Sequence, residues 1–238
     1  MNNRELCLAI VADIKQSGIV RNDRLKLAID EVTKQLNAKF KACIITEFTL
    51  KNGDEIVGVM SSFAEGYSAY KQMYELLEVH KLRAYIGLGF GYIEDTDELD
   101  IHKVYGTAIT NAYRAVNQYL KLNKSNARQF NSYNKDITTF VYDEIGLFPY
   151  DAINHFITYI NQKNAKRTKK QIEVITYMEN HPHLSYKEVA AHFDYSEINI
   201  YKIIQRSEYQ LVKDAEESLK GLLQFIQDSL INKSSEFK

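Results

Sequence analysis

The sequence predicts an α+β protein in which a sheet-bearing first two-thirds is followed by an all-α last third. Three observations predict it. Short apolar runs such as "LCLAIVADI" (6–14) alternate with amphipathic stretches of helical period as far as residue 143. Asn52-Gly53 divides two strand-like runs in "TLKNGDEIVGVM", where Asn-Gly supplies the positive φ angles of a tight hairpin. From Asp151 onward no strand pattern remains.

The elements follow in order. Residues 6–14 form a continuous apolar run ending in Asp13-Ile14, as a buried central strand does. Residues 22–40 place Leu25, Ile29, Val32 and Leu36 at helical spacing, with Asn22 or Asp23 as the N-cap. "ACIITEFTL" and "EIVGVM" are the arms of the hairpin, and 63–80 is a second amphipathic helix. "LRAYIGLGFGYI" (82–93) is a strand whose glycines point to bulges or close backbone approach. Residues 104–120 are a third helix entered through Gly106, the Asn-rich 121–136 a surface loop, and 137–143 a last strand. The order β-α-β-β-α-β predicts a ferredoxin-like layer, an antiparallel-rich sheet with helices on one face. It sets the first strand beside the hairpin, so that Asp13 and Asp54 face a common point.

Composition bounds the function. The chain has 238 residues, 45% hydrophobic and 26% charged, with a net charge of -1. That is ordinary for a globular chain and carries no basic field announcing nucleic acid, although local patches matter more than totals. Cys7 and Cys43 lie in apolar segments and are expected as core thiols. The N-terminal apolar run is too short for a secretory signal, and no stretch approaches the ~18 apolar residues of a membrane span. A cytoplasmic protein is expected.

The most specific local pattern lies in the last third. "LSYKEVAAHFDYSEINIYKIIQRS" (184–207) has the layout of a helix-turn-helix. Ser185 and Glu188 form a capping box, Val189, Ala190 and Phe193 pack the first helix, and Phe193-Asp194-Tyr195 makes the turn. Ser196 caps a second helix anchored by Ile198, Ile200, Ile203 and Ile204. Its outward residues include Asn199, Tyr201, Lys202, Gln205 and Arg206, whose chemistry suits base edges and phosphates. Lys166, Arg167 and Lys169 cluster just upstream, where they could touch backbone phosphate. The same pattern also serves a three-helix unit that contacts only protein. The boundary is expected near Gly146–Pro149, giving domains 1–147 and 148–238.

The other constellation is acidic. Asp54 and Glu55 at a hairpin tip suit either a solvated turn or, with Asp13 on the neighbouring strand, a site for a hard divalent cation. "VADIKQSG", "KNGDEIVGVM", "LRAYIGLGFG" and "GTAITNAYRAVN" together resemble the core of the class III nucleotide cyclase and GGDEF superfamily. With "TKKQIEVITYMENHPHLSYKEVAAHFDYSEINIYKIIQRS", the whole chain is similar to the bacterial SatD family, which joins such a cyclase-like domain to a helix-turn-helix. The resemblance implies metal ligands at Asp13, Asp54 and Glu55, holding Mg²⁺ or Mn²⁺ with a nucleotide, and a phosphate-contacting Arg114 in the catalytic position. Ala112 matches the small residue two before that arginine. Thr110 stands where cyclases carry a ribose-orienting Asn, and Lys51 is the lysine nearest the purine-reading position. The resemblance thus implies a cyclase-type domain that binds nucleotide or dimerises, followed by a DNA-binding domain, in a homodimeric regulator. The rivals are an active nucleotidyl cyclase with a helical regulatory domain and a protein-only adaptor.

Overall fold

The structure is a computed structural model that describes residues 4–15, 22–94, 105–121, 138–144, 146 and 149–236. The chain forms two compact units, one of residues 1–155 with 220–238, the other of residues 156–219. The last stretch of chain belongs with the sheet because Gln227 accepts a hydrogen bond from Phe63 N (2.8 Å) and donates one to Ser61 O (2.5 Å). Among the described residues, no helix is long and apolar enough to cross a membrane.

The sheet unit runs β1 (Arg4–Ile14), α1 (Asn22–Phe40), β2 (Ile44–Lys51), β3 (Glu55–Met60), α2 (Phe63–Val79), β4 (Ala84–Glu94), β5 (Tyr105–Gly106), α3 (Thr107–Arg114) and β6 (Thr139–Tyr142). The sheet order is β2-β3-β1-β4-β5, with β6 parallel to β4, so the sheet is mixed. β1 lies between β3 and β4, antiparallel to both, as its continuous apolar run requires. Leu25, Ile29, Val32 and Leu36 are the buried stripe of α1. The helix opens at Asn22, so Asn22 and Asp23, expected as its cap, stand in its first turn. Residues 122–136 of the expected loop and Ile137 of the expected last strand lie outside the described residues.

Helices cover both faces of the sheet, not one. The alternation of β1 sends Leu8 toward α2, where a Cβ on Gly66 would stand 2.2 Å from the Leu8 side chain. Cys7, Ala9 and Val11 point the other way and pack with Ala108, Ala112 and Val116. The second layer exists because β4 carries glycine at alternate positions. A Cβ on Gly87 would stand 2.2 Å from Ala112 O, and one on Gly89 2.1 Å from Ala108 O. The backbone of α3 therefore seats directly on the strand. Two asparagines occupy strand edges. Asn37 bonds both N and O of Phe48 on β2, and Asn154 bonds both N and O of Val141 on β6, using groups that would otherwise template foreign strands.

Two expected elements change. The hairpin turns through Asn52, Gly53 and Asp54, with φ of 55° at Asn52 and 91° at Gly53, so Asp54 lies in the turn and Glu55 opens β3. The expected helix 104–120 begins only at Thr107, after the short β5, and passes into a π turn over Ala115–Lys121.

The helical unit draws on α4 (Tyr150–Ala165), α5 (Lys169–Asn180), α6 (Tyr186–Phe193), α7 (Glu197–Arg206) and the first part of α8 (Tyr209–Glu236). Capping boxes open α5 at Thr168–Gln171 and α6 at Ser185–Glu188, and the Ser196 hydroxyl caps α7. Asp194, left-handed at φ 55°, ends α6 and turns the chain into α7. Val174, Ile175, Val189, Ala190, Ile200 and Ile204 form the core. Ile198, expected as an anchor, is 64% exposed instead, because it sits two residues from Ile200 and thus on another face.

Candidate functional site

The acidic constellation is built by strand register. Asp13 is the Cα partner of Glu55 on β3 and of Tyr85 on β4, so the three side chains share one face, the one α3 covers. Ile14 N donates to Asp54 O at 3.1 Å, which draws the hairpin turn against the end of β1. Asp13 is buried at 8% exposure. Its carboxylate receives the Lys121 ammonium at 2.5 Å, from the end of the π turn. Glu55 accepts from Asn52 Nδ2 at 2.8 Å and from the Tyr113 hydroxyl at 3.2 Å. Burial, and then the negative charge of Glu55, push the Tyr113 hydroxyl far above the ordinary tyrosine range, with its hydrogen bond to Glu55 and the charge of Asp13 adding to the shift. Tyr113 therefore donates to Glu55 as a neutral phenol. Lys51 lies over its ring, 5.7 Å from the centroid.

Arg114 looks elsewhere. It forms an ion pair with Glu144, just beyond β6, and that hydrogen bond raises the arginine pKa and lowers that of Glu144. Along the sheet, Tyr142 aligns with Gly89, four residues from the Asp13–Tyr85 row, or about 13 Å of strand. Asp13 and Glu55 are thus neighbours, while Arg114 is engaged at a different row. Sequence reasoning missed Lys121 and Tyr113. The signal for Tyr113 was its place beside Arg114 on a helix with an apolar inner face. Lys121 gave none, because its position depends on the π turn. Among the described residues, no group of three His, Cys, Asp or Glu side chains converges to hold a metal ion.

In the helical unit, Asn199, Tyr201, Lys202, Gln205 and Arg206 are all exposed on α7, while Ile200 and Ile204 are buried and Ile203 is half-buried. Lys166, in the turn between α4 and α5, and Lys169, at the start of α5, are exposed. Arg167 is only half-exposed. Its Nε donates to Ser207 O at 3.3 Å, its guanidinium lies 5.9 Å from the Tyr209 ring centroid, and burial lowers its pKa. That places Arg167 as a brace to the α7–α8 turn. Lys163 is paired with Glu208 at 2.6 Å.

No protein-family profile matches the chain, and no curated protein matches it. Among solved structures, a bacterial light-regulated adenylyl cyclase aligns at 13% identity and a TM-score of 0.36, over 51% of this chain and 42% of its own. The monomeric guanylyl cyclase domain of the RhoGC fusion protein from the aquatic fungus Blastocladiella emersonii aligns at 13% and 0.36, over 48% and 75%. A dimeric guanylyl cyclase domain of the same fusion protein aligns at 17% and 0.34, over 48% and 76%. The chain spans less than half the length of that adenylyl cyclase. These are distant, partial likenesses of fold to nucleotidyl-cyclase domains, and they assign no residue a role.

Proposed function

We propose that the protein is a DNA-binding regulator of the bacterial SatD type, with a helix-turn-helix in its helical unit and a ferredoxin-like, cyclase-type sheet unit that binds a metal–nucleotide or mediates dimerisation. The observation that carries the DNA reading is the division of α7, whose polar residues are exposed while Ile200 and Ile204 seal it to its unit. A short helix, a left-handed Asp194 and a Ser196-capped second helix are the parts such a motif needs. Asn199 suits adenine, and Arg206 and Lys202 suit guanine or phosphate. Lys166 and Lys169 suit phosphate. The working form is a cytoplasmic homodimer, since such motifs bind paired half-sites. Light scattering tests it, and a clean monomer at high micromolar concentration counts against it.

The test of DNA binding is retention of random duplexes by the full chain at low salt, followed by selection of a site. Arg206→Ala should then cost about 1–3 kcal/mol at the selected site. Lys166→Ala and Lys169→Ala should weaken all sequences alike and reduce the salt dependence. Failure to retain any duplex at low salt, with the chain folded, overturns the reading.

The residues of the sheet unit fit a cation of the Mg²⁺ type. Asp13, Asp54 and Glu55 offer hard oxygen ligands, and the Lys121 ammonium on Asp13 is a stand-in positive charge at that position. Mg²⁺ commonly takes one or two carboxylates and completes its shell with water and substrate phosphate, so a ready cage of three acids is not required. When bound, such a cation would neutralise triphosphate charge. Tyr113 and Asn52 would hold Glu55 in place, and Lys51 lies near enough to meet an anionic ligand.

The register pairing of Asp13 with Glu55 also favours a second reading, an active metal-dependent nucleotidyl cyclase, in which Arg114 would have to leave Glu144 to meet phosphate. Incubation with Mn²⁺ and each nucleoside triphosphate, with product mass analysis, separates the two. A cyclic or linked nucleotide product establishes the enzyme.

A further inference from the structure

We propose that Lys121 is a built-in competitor for the cation at Asp13, so that a divalent ion gains the carboxylate only as the Lys121 ammonium leaves it. The inference deepens the metal–nucleotide reading of the sheet unit and rests on it.

A carboxylate as buried as Asp13 requires a compensating positive charge. Lys121 supplies it at 2.5 Å across 108 residues of sequence. How it arrives is a matter of helix geometry. Arg114 and Lys121 are seven residues apart, and a regular α-helix would turn them only ~20° from a common face. The helix instead widens into a π turn over Ala115–Lys121, and the two side chains part, Arg114 to Glu144 and Lys121 to Asp13. Such π turns are uncommon and cluster at functional positions. The pair is also asymmetric. The Lys121 side chain is 37% exposed and that of Asp13 only 11%. The lysine can therefore swing into water at small solvation cost, while the buried acid stays behind and needs a replacement cation. A divalent ion would bring two charges where the ammonium brings one, and Glu55, the register partner of Asp13 on the same face, would be the nearest second carboxylate in the register. Ion occupancy and the position of Lys121 are then one equilibrium, and the end of the α3 π turn is the element that reports it.

The experiment is Mn²⁺ titration of the full-length protein, following the paramagnetic resonance signal of the free ion. Lys121→Met, which keeps the stem and removes the charge, should bind Mn²⁺ on the order of tenfold more tightly than wild type or better. Lys121→Gln should do the same, and serves if the Met variant does not fold. Lys121→Arg, which keeps a competing cation, should remain near wild type. Asp13→Asn should abolish binding in the wild-type and the Lys121→Met backgrounds. Equal Mn²⁺ affinity in wild type and the Lys121→Met and Lys121→Gln variants overturns the competitor role and leaves the cation site standing. Absence of Mn²⁺ binding in every variant overturns the cation site, and the competitor with it.

Discussion

Asp13 shows how one side chain ties distant parts of the chain to one point. It is an acid at the buried end of a central strand, opposite Glu55 by register and held by a lysine from the far end of a helix. The glycines of β4 act at the same scale. Gly89 has no room for a methyl group, because its Cβ would meet the Ala108 carbonyl and the Ala112 nitrogen at 2.1 and 2.2 Å. Gly89→Ala should therefore cost about 1–3 kcal/mol or more through displacement of α3. Gly221 is the contrasting case, a helical glycine with nothing within 4 Å of its Cβ position. Gly221→Ala should stabilise by about 0.5–1 kcal/mol. Urea unfolding of the two variants checks both signs.

At the scale of the element, α6 carries a pH dependence. Glu188 accepts from Ser185 N and from the Ser185 hydroxyl at 2.8 and 2.7 Å, and these bonds, the backbone one foremost, hold its carboxyl below the ordinary glutamate range. A depressed acid stabilises the fold above its unfolded-state pKa, and that contribution is lost as pH falls through the folded value. The capping box of α6 should thus weaken only below the ordinary glutamate range. Glu188→Gln, which keeps an acceptor without a charge, should remove that acid-side dependence in thermal melts followed by circular dichroism. Within α7 the division between faces has a mutational signature. Ile200→Ala should destabilise by about 2–5 kcal/mol, because the residue is fully buried. Ile198→Ala should change stability by no more than about 0.5 kcal/mol, because it is exposed. Chemical denaturation of the pair measures the difference.

At the scale of the whole molecule, the end of the chain returns to the sheet unit through Gln227. Its side-chain oxygen accepts from Phe63 N in the first turn of α2, and its amide donates to Ser61 O. Gln227→Ala removes both buried bonds and should cost about 1–3 kcal/mol in denaturant unfolding. Gln227→Glu should keep part of it, since a carboxylate still accepts from Phe63 N while losing the donation to Ser61 O. The compact units therefore do not follow chain order, and a cut after residue 147 would separate the sheet from Asn154, which bonds both N and O of Val141 on β6.

Local chemistry alone determined much of this protein. Periodicity located β1 and the buried stripe of α1, Asn52-Gly53 marked the hairpin, and Ser185 with Glu188 marked the start of α6, because each depends on neighbours within a few residues. The same locality explains why α7 divides nearly as its spacing requires, with Ile198 exposed because two residues separate it from the buried Ile200. The tertiary structure decided what no window of sequence contains. It decided that glycines spaced by two on β4 admit a second helical layer, that Arg114 and Lys121 part company at a π turn, that Arg167 turns inward to Ser207, and that residues 220–238 return to the sheet. The physical reason is the same in each case. These features are contacts between residues far apart in the chain, and a contact of that kind acquires its energy only after the intervening chain has folded.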